Sequence, residues 1–221
     1  MKTSRFELDP NGDVELIMET QLPPDFVWTP DKLRLGTSAS QQRSSKRRHT
    51  KSSLSATDDQ SKWVRMRVSS RHLILASPVF RMMLEGPWLE AAVPESELRE
   101  IREIRNGSWH LDALIIVLDA IHGHHRSIPT SLSLDMIAKV AIIVDYYKCQ
   151  EIMEVFAEIW INALKKDIPK SYGKESTLWL LICWVFSMSE GFAEMSMLAA
   201  KSSKTLLDAP DLPIPAHILS R

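Results

Sequence analysis

The sequence holds few cysteines, few glycines and almost no net charge. Its 2 cysteines, Cys149 and Cys183, lie in apolar helical patterns and supply neither a disulfide framework nor the ligand spacing of a zinc site. The 7 glycines are not clustered, which excludes a glycine-rich loop for phosphate. A formal net charge of -1 gives the whole chain no attraction to nucleic acid or to an anionic membrane.

Long uninterrupted apolar runs are also missing. The densest, LDALIIVLDAI at 111–121, contains aspartates and is too short to span a bilayer. The polar start, MKTSRFELDPNG, lacks the apolar core of a secretory signal. We therefore expect a soluble protein of the cell interior, in the cytoplasm, the nucleus or both, without a membrane partner.

Two segments near the N terminus alternate like β-strands. GDVELIM at 12–18 turns three apolar residues to one face, and WVRMRV at 63–68 alternates valine or methionine with arginine. Between them, 36–62 is rich in Ser, Thr and basic residues and holds one large aliphatic side chain, which predicts disorder. The strands can still pair across this insertion, because the entropy of closing a loop grows slowly with its length.

From position 71 onward the periodicity is helical. Ser133 is placed to cap one of the helices, and the segment LREIREI at 98–104 also favours a helix by propensity. A proline-rich tail at 208–221 has aliphatic residues for docking in an extended form against the last helices. The predicted helices cover 71–76, 78–84, 111–121, 134–147, 151–164, 175–188 and 190–201.

Pro78 stands in the middle of the apolar stretch RHLILASPVFRMMLE. Inside a helix a proline costs about 3 kcal/mol, because it removes a backbone donor and clashes with the preceding turn. As the first residue of a new helix it costs little, since its N–H would be unpaired there in any case. Ser77 before it is a strong N-cap. The sequence thus predicts a corner between two short helices.

This corner and the first strand contain an ordered set of motif residues: Asp13, Val14, Leu73, Ser77, Pro78, Phe80, Met83 and Leu84. In this order they are similar to the motif of the BTB/POZ domain. The segments IHG at 121–123 and DYYKC at 145–149 resemble a subgroup common in fungal proteins. The resemblance spans 12–166, although Ser69 and Ser70 stand where many members carry a His-Lys or His-Arg pair.

The resemblance implies an α+β fold of the BTB/POZ kind, a mostly helical bundle with a small β-sheet at one edge and extra C-terminal helices. It divides the chain into an N-terminal segment with the first strand at 1–35, a disordered basic, serine-rich insertion at 36–62, a BTB/POZ-like core at 63–166, and a helical extension with a proline-rich tail at 167–221.

The implied function is protein–protein interaction, as a homo- or hetero-oligomerising module without catalytic activity or cofactor. An exposed apolar helix face or an open sheet edge would dock another protein, with a second copy as the first expectation. Family members that recruit cullin-type ubiquitin ligases carry a hydrophobic-x-Glu sequence after this helix. Met83-Leu84-Glu85 has that form, so an adaptor that delivers substrates to a cullin scaffold is an alternative.

A basic cluster, Lys46-Arg47-Arg48, lies in the insertion. Short Lys/Arg clusters serve as import signals or contact nucleic acid, which makes a nuclear transcription or chromatin-associated factor another alternative. The same residues are explained equally well as a run of charge that only keeps a disordered loop soluble. We do not expect direct binding of nucleic acid.

Other candidates for chemistry are sparse. His122, His124 and His125 have a spacing that suits zinc or nickel, but a structural zinc site needs four ligands and a solvated loop explains them better. Cys149 at a helix start predicts a lowered pKa, whereas Cys183 fits the core. We find no base for either thiol, and therefore predict no catalytic, cofactor or metal site.

Overall fold

The computed structural model describes residues 4–20, 62–86, 101–107 and 109–202. These residues form the mixed α+β architecture expected from the sequence, with seven α-helices and one four-stranded sheet. The strands are β1 (Ser4–Glu7), β2 (Val14–Thr20), β3 (Lys62–Val68) and β4 (Arg102–Asn106). The helices are α1 (Ser70–Ala76), α2 (Pro78–Glu85), α3 (Leu111–Ile121), α4 (Leu134–Tyr147), α5 (Gln150–Leu164), α6 (Lys174–Val185) and α7 (Ser189–Ser202).

The sheet has the strand order β1-β3-β2-β4. β2 and β3 pair antiparallel, which confirms that the two strands flanking the insertion pair with each other. β1 runs parallel to β3, and β4 runs parallel to β2. The register places Leu16 beside both Met66 and Ile104, and all three side chains are fully buried in the core. The alternation of apolar and polar residues in the two predicted strands therefore indicates correctly which face of the sheet is buried.

Charged side chains tie the strands together on the opposite face. Arg65 Nη1 lies 2.5 Å from Glu15 Oε2 and 2.6 Å from Glu103 Oε1, so one guanidinium bridges β2, β3 and β4. Arg5 Nε on β1 lies 3.5 Å from the other oxygen of Glu15. These contacts allow Glu15 to be buried with its charge compensated.

Strand β4 corrects the helix predicted over 98–104 for its described part, 101–104. Within Arg102–Asn106 the pattern has a period of two, since Ile104 is buried while Glu103 and Arg105 are exposed. Parallel pairing with β2 overrides the helical propensity of the segment, because a strand's preference depends on the neighbours it packs against. β1 was not predicted at all, since Phe6 is the one apolar residue in its SRFE sequence.

The helices predicted over 111–121 and 134–147 have the bounds of α3 and α4. Ser133 caps α4 as predicted, since its hydroxyl accepts a hydrogen bond from Met136 N–H at 3.3 Å. α6 ends at Val185, three positions before the predicted end. Ser187 has a φ of 54°, a left-handed conformation that does not continue a helix.

Helix α6 is enclosed on nearly all sides. We predict one apolar face for it, with Leu178, Leu181, Ile182, Val185 and Phe186, and all five side chains are buried. Every residue of 176–183 is buried as well, because α6 packs against both α4 and α7. Its apolar side chains join the same hydrophobic core as the sheet and α3.

Several predicted features lie outside the described residues. They are the insertion up to position 61, including Lys46, Arg47 and Arg48, and the tail at 208–221. Lys62, which the prediction assigns to the insertion, is instead the first residue of β3. Of the helices in the described part of the chain, none has the length and apolar character needed to cross a membrane.

Candidate interaction site

The corner between α1 and α2 has the geometry that the sequence predicts. Pro78 is the first residue of α2, and the Ser77 hydroxyl accepts a hydrogen bond from Phe80 N–H at 3.1 Å. Ser77 has extended backbone angles and ends α1, where its own N–H donates to Leu73 O at 3.0 Å. One serine therefore closes the first helix and caps the second.

The same serine joins the corner to α4. Its buried hydroxyl donates to the carbonyl oxygen of Tyr147, the last residue of α4, where helix carbonyls have no partner within the helix. The Phe80 ring stacks on the Tyr147 ring with centroids 4.1 Å apart and planes 7° apart. Trp109 Nε1 donates to the Tyr147 hydroxyl at 3.3 Å. A polar and an aromatic contact thus fix α2 on the end of α4.

Asp13 connects the corner to the sheet. Its carboxylate accepts hydrogen bonds from Ser70 N–H at 2.8 Å and from the Ser70 hydroxyl at 2.6 Å. Partial burial opposes the charged form, but these two bonds, together with the backbone N–H of Asp13 and the positive charge of Arg102, lower the pKa of Asp13. Asp13 thereby fixes the first turn of α1 and stays ionised. Val14, the next motif residue, is buried in β2.

His122 connects the corner to α3. Its Nε2 accepts a hydrogen bond from Ser69 N–H at 3.0 Å, and its Nδ1 lies 2.8 Å from Leu118 O. Both contacts are satisfied when Nδ1 carries the proton, so the neutral ring fits this position. Burial, opposed by the Leu118 carbonyl, lowers the pKa of His122, and the nearby His72 ring adds to the effect.

The other two histidines of the cluster point elsewhere. His124 Nδ1 lies 3.2 Å from Asp119 Oδ1, and the His125 ring packs edge-on against Phe156. In the part of the chain that the structure describes, no group of three or more His, Cys, Asp or Glu side chains is arranged to hold a metal ion. His122 therefore acts as a structural link in this geometry.

The end of α2 carries the remaining motif residues. Leu84 is buried, Met83 is partly buried and Glu85 is exposed. Arg102 Nη1 from β4 donates to Leu84 O at 2.9 Å, so β4 stabilises the last turn of α2 through a cation at its negative end. Arg102 was not singled out from the sequence, because β4 was not recognised.

Two large apolar side chains of the corner remain in solvent. Leu75 on α1 is 81% exposed and Met82 on α2 is 55% exposed. Arg81 Nη2 donates to Ile74 O at 3.3 Å, so a side chain of α2 reaches the backbone of α1 next to Leu75. The sequence offers one signal for this exposure. Successive helical residues lie about 100° apart, so the run of three apolar residues at 73–75 does not fit on one narrow buried face.

The two cysteines are buried in this arrangement. Burial raises the pKa of Cys149 to about 12 and that of Cys183 to about 11. The lowered pKa predicted for Cys149 is therefore wrong. Cys149 does precede α5, but its loss of solvation outweighs any stabilisation of the thiolate by the helix N-terminus.

A groove of about 430 Å³ lies away from the corner, between α7 and the turn that follows α5. Its polar lining consists of Lys165, Lys166, Lys170, Lys201 and Glu194, and the rest is proline and aliphatic or methionine side chains. The lining contains no cysteine, serine or histidine, so the thiol, hydroxyl and imidazole groups of the common nucleophile–base pairs are absent from it.

The chain matches no protein-family model, and no curated protein matches it at a significant level.

Proposed function

We propose that this protein is a BTB/POZ-like protein-interaction module that acts inside the cell, binds other proteins or a second copy of itself, and has no catalytic activity. The observation that carries the proposal is a rigidly held corner with exposed apolar side chains. Leu75 and Met82 face solvent on two helices whose other sides are fixed to the sheet, α3 and α4. Exposed apolar groups on an ordered frame favour binding, because little conformational entropy is lost when a partner docks.

The way the corner is fixed supports this assignment. Asp13, Ser77 and His122 each make hydrogen bonds that are specific to this packing of α1 and α2. None of the three lines the groove between α7 and the turn after α5. Both cysteines are buried, Cys149 before α5 and Cys183 within α6, so neither thiol is presented to a substrate, which favours a binding role over thiol catalysis.

The test uses the double variant Leu75→Glu/Met82→Glu in the full-length chain. We expect the variant to fold normally, because both side chains are exposed, and to lose at least about tenfold in affinity for its partner, since a charge is desolvated in an apolar contact. The partner is first identified by cross-linking and mass spectrometry in the native cell, then purified and titrated against both proteins.

The matched control is Met197→Glu on α7, where the methionine is 57% exposed and lies far along the chain from the corner. The control is expected to bind the purified partner like the unaltered protein. Equal binding by the corner variant and the control would overturn the proposal that the corner is the docking surface. A measurable turnover activity of the purified chain would overturn the non-catalytic role.

The accessibility of the α2 end favours one second candidate, an adaptor that recruits a cullin scaffold. Glu85 is exposed in the last turn of α2 and Met83 is partly exposed, so the hydrophobic-x-Glu sequence is open to a partner while Leu84 serves the core. Met83→Ala/Glu85→Ala is expected to weaken binding of a purified cullin N-terminal domain, measured by calorimetry. Binding that is unchanged in this variant, or absent from the unaltered protein, would count against this candidate.

A further inference from the structure

The groove between α7 and the turn after α5 combines apolar and basic side chains. Its lining comes from two stretches of the chain, 165–170 and 194–201. On α7 the lining residues recur at intervals of three and four, which places Glu194, Met197 and Lys201 on one face of the helix. Met197 is 57% exposed on this face. The described residues therefore leave an apolar part of the groove in solvent.

Positive charge prevails in this groove. Its lining contains one acidic residue, Glu194, and four basic ones, Lys165, Lys166, Lys170 and Lys201. Asp167 is exposed in the same turn, so four lysines stand against two carboxylates, an excess of two positive charges. Among the residues that the structure describes, no ion pair joins any of these lysines to a carboxylate. The groove is thus suited to an acidic occupant.

The segment that follows α7 has the complementary composition. Residues 206–214 read LLDAPDLPI, with two aspartates, four leucine or isoleucine side chains and no basic residue. The aspartates, Asp208 and Asp211, match the excess positive charge of the groove in sign and number. The aliphatic side chains match the apolar lining, which includes Met197 and Leu198. Charge and apolar character together favour this segment as the occupant.

The chain is long enough to place this segment in the groove. α7 ends at Ser202, directly after the lining residue Lys201. The lined part of α7 runs back from Lys201 to Glu194, a distance of about 10 Å along the helix axis. Residues 203–207 can span up to about 17 Å, which allows the chain to reverse its direction. In an extended, proline-rich conformation 208–214 covers about 22 Å, which is more than the length of the lined part.

We propose that the groove between α7 and the turn after α5 is the docking site for residues 206–214 of the same chain. In the docked form Asp208 and Asp211 pair with the groove lysines, and the leucine and isoleucine side chains cover Met197 and Leu198. The short tether holds the segment at a millimolar effective concentration, which favours the chain's own segment over that of a second copy. The sequence alone predicts extended docking of the tail against the last helices, and the groove gives that docking a defined place. The proposal does not depend on the corner as a docking surface.

The first test couples carboxylates to nearby amines in the full-length chain with a zero-length carbodiimide reagent, followed by mass spectrometry. The two aspartates of the tail are expected to couple to the lysines of 165–170, because an ion pair holds the reacting groups in contact. Lys148 is exposed outside the groove and is the control, which is expected to couple to neither aspartate. The absence of any link between the tail and 165–170, or equally frequent links to Lys148, would overturn the proposal.

Isotope labelling distinguishes the chain's own tail from the tail of a second copy. The coupling reaction is repeated on an equal mixture of chains labelled with nitrogen-15 and unlabelled chains. Docking within one chain is expected to give linked peptides that are both labelled or both unlabelled. Linked pairs of mixed labelling, at the frequency of random exchange, would show that a second copy supplies the segment and would overturn the proposal.

Charge reversal tests the ionic part of the docking. Asp208→Lys/Asp211→Lys is expected to release the tail, so that the amides in the last turn of α7 exchange with deuterium at least about tenfold faster. When Lys165→Glu/Lys166→Glu/Lys170→Glu is added, the charges are exchanged between the two sides, and the protection is expected to return. Unchanged exchange in the tail variant, or no recovery in the combined variant, would count against the proposed pairing.

Removal of aliphatic side chains tests the apolar part. Leu212→Ser/Ile214→Ser is expected to speed the same exchange at least about tenfold, because less apolar surface is buried in the groove. Ile218→Ser/Leu219→Ser, beyond the docked segment, is the matched control and is expected to leave the exchange unchanged. Equal effects of the two variants would overturn the assignment of 206–214. Met197→Glu, the control for the corner, is expected to release the tail while binding at the corner is unchanged, so the two proposals can fail separately.

Discussion

The corner at Ser77 and helix α6 are both essential to the core, yet different forces hold them. Directed hydrogen bonds fix the corner, from Ser77 to Tyr147, from Ser70 to Asp13 and from Ser69 to His122. Non-directional packing holds α6, whose side chains are buried on nearly every side. A region fixed by a few directed bonds can leave its other faces open to a partner, whereas a region held by burial alone has no face to offer. The corner is thus suited to recognition and α6 to scaffolding.

The largest loss of stability is expected when a buried side chain of α6 is truncated and leaves a cavity in the core. Leu181 is fully buried, and Leu181→Ala should lower the free energy of unfolding by about 2–5 kcal/mol. Urea denaturation followed by circular dichroism measures it. Leu75→Ala, at an 81% exposed position, is the matched control and should change stability by less than about 0.5 kcal/mol. Equal losses at the two positions would contradict the burial of α6.

Removal of the directed hydrogen bonds of the corner should lower the free energy of unfolding by less than the change at Leu181. Ser77→Ala removes the cap on Phe80 N–H and the bond to Tyr147 O, a loss of about 1–3 kcal/mol for two hydrogen bonds. Ser133→Ala removes only the cap of α4 on an exposed serine and should cost about 1 kcal/mol. A Ser77 variant no less stable than the Ser133 variant in urea denaturation would show that the link to α4 contributes nothing.

The burial of His122 should make stability depend on pH. The folded protein has a lowered pKa at His122, so the unfolded chain takes up protons more readily there. The stability from this group is fully present above the ordinary pKa of 6.5 and is lost as the pH falls below that value. His122→Asn should reduce this acid sensitivity in denaturation curves recorded across that range. His125→Asn, at an exposed position, should leave it unchanged, and a flat profile for the unaltered protein would contradict the assignment.

The last prediction concerns the reactivity of the two cysteine thiols and involves no change in the stability of the protein. Cys149 and Cys183 are buried with raised pKa values, so both should react with an aromatic disulfide reagent at least about a hundredfold more slowly in the folded protein than in urea. Absorbance of the released thiolate measures this rate. Rapid native reaction of either cysteine would mean that α6 or the start of α5 opens readily.

Features encoded by neighbouring residues could be predicted from the sequence. Ser77 and Pro78 define the corner because capping and proline geometry act within a few residues, and α4 follows in the same way from Ser133 and its apolar period. β4 could not be recognised, because Ile104 acquires its buried place only beside Leu16, a residue far away in the sequence. The contacts of Arg102 with α2 and of His122 with Ser69 could not be predicted either, because these partners are also distant in the sequence.

Exposure was harder to predict than burial. The apolar pattern correctly marked Leu178 and Leu181 as buried residues. For Leu75 it offered only the length of the apolar run at 73–75, which indicates that some residue of the run lies outside the core but not which one. Which apolar residues remain outside depends on how many helices pack around each element, and this is a property of the tertiary arrangement. The prediction of a lowered pKa for Cys149 was wrong for the same reason, since the residues around Cys149 in the sequence do not show that its side chain is buried.

The parallel pairing of β2 with β4 also determines when the sheet can be completed during synthesis. Val14 pairs with Arg102, so β2 has left the ribosome long before its neighbour is made. Contacts between residues so distant in sequence slow folding, because the entropy of closing the intervening chain is lost before the contact forms. Until then one side of β2 remains an unpaired strand edge, which is prone to pair with other chains. The nascent protein therefore passes through a period in which protection by a chaperone would be most useful.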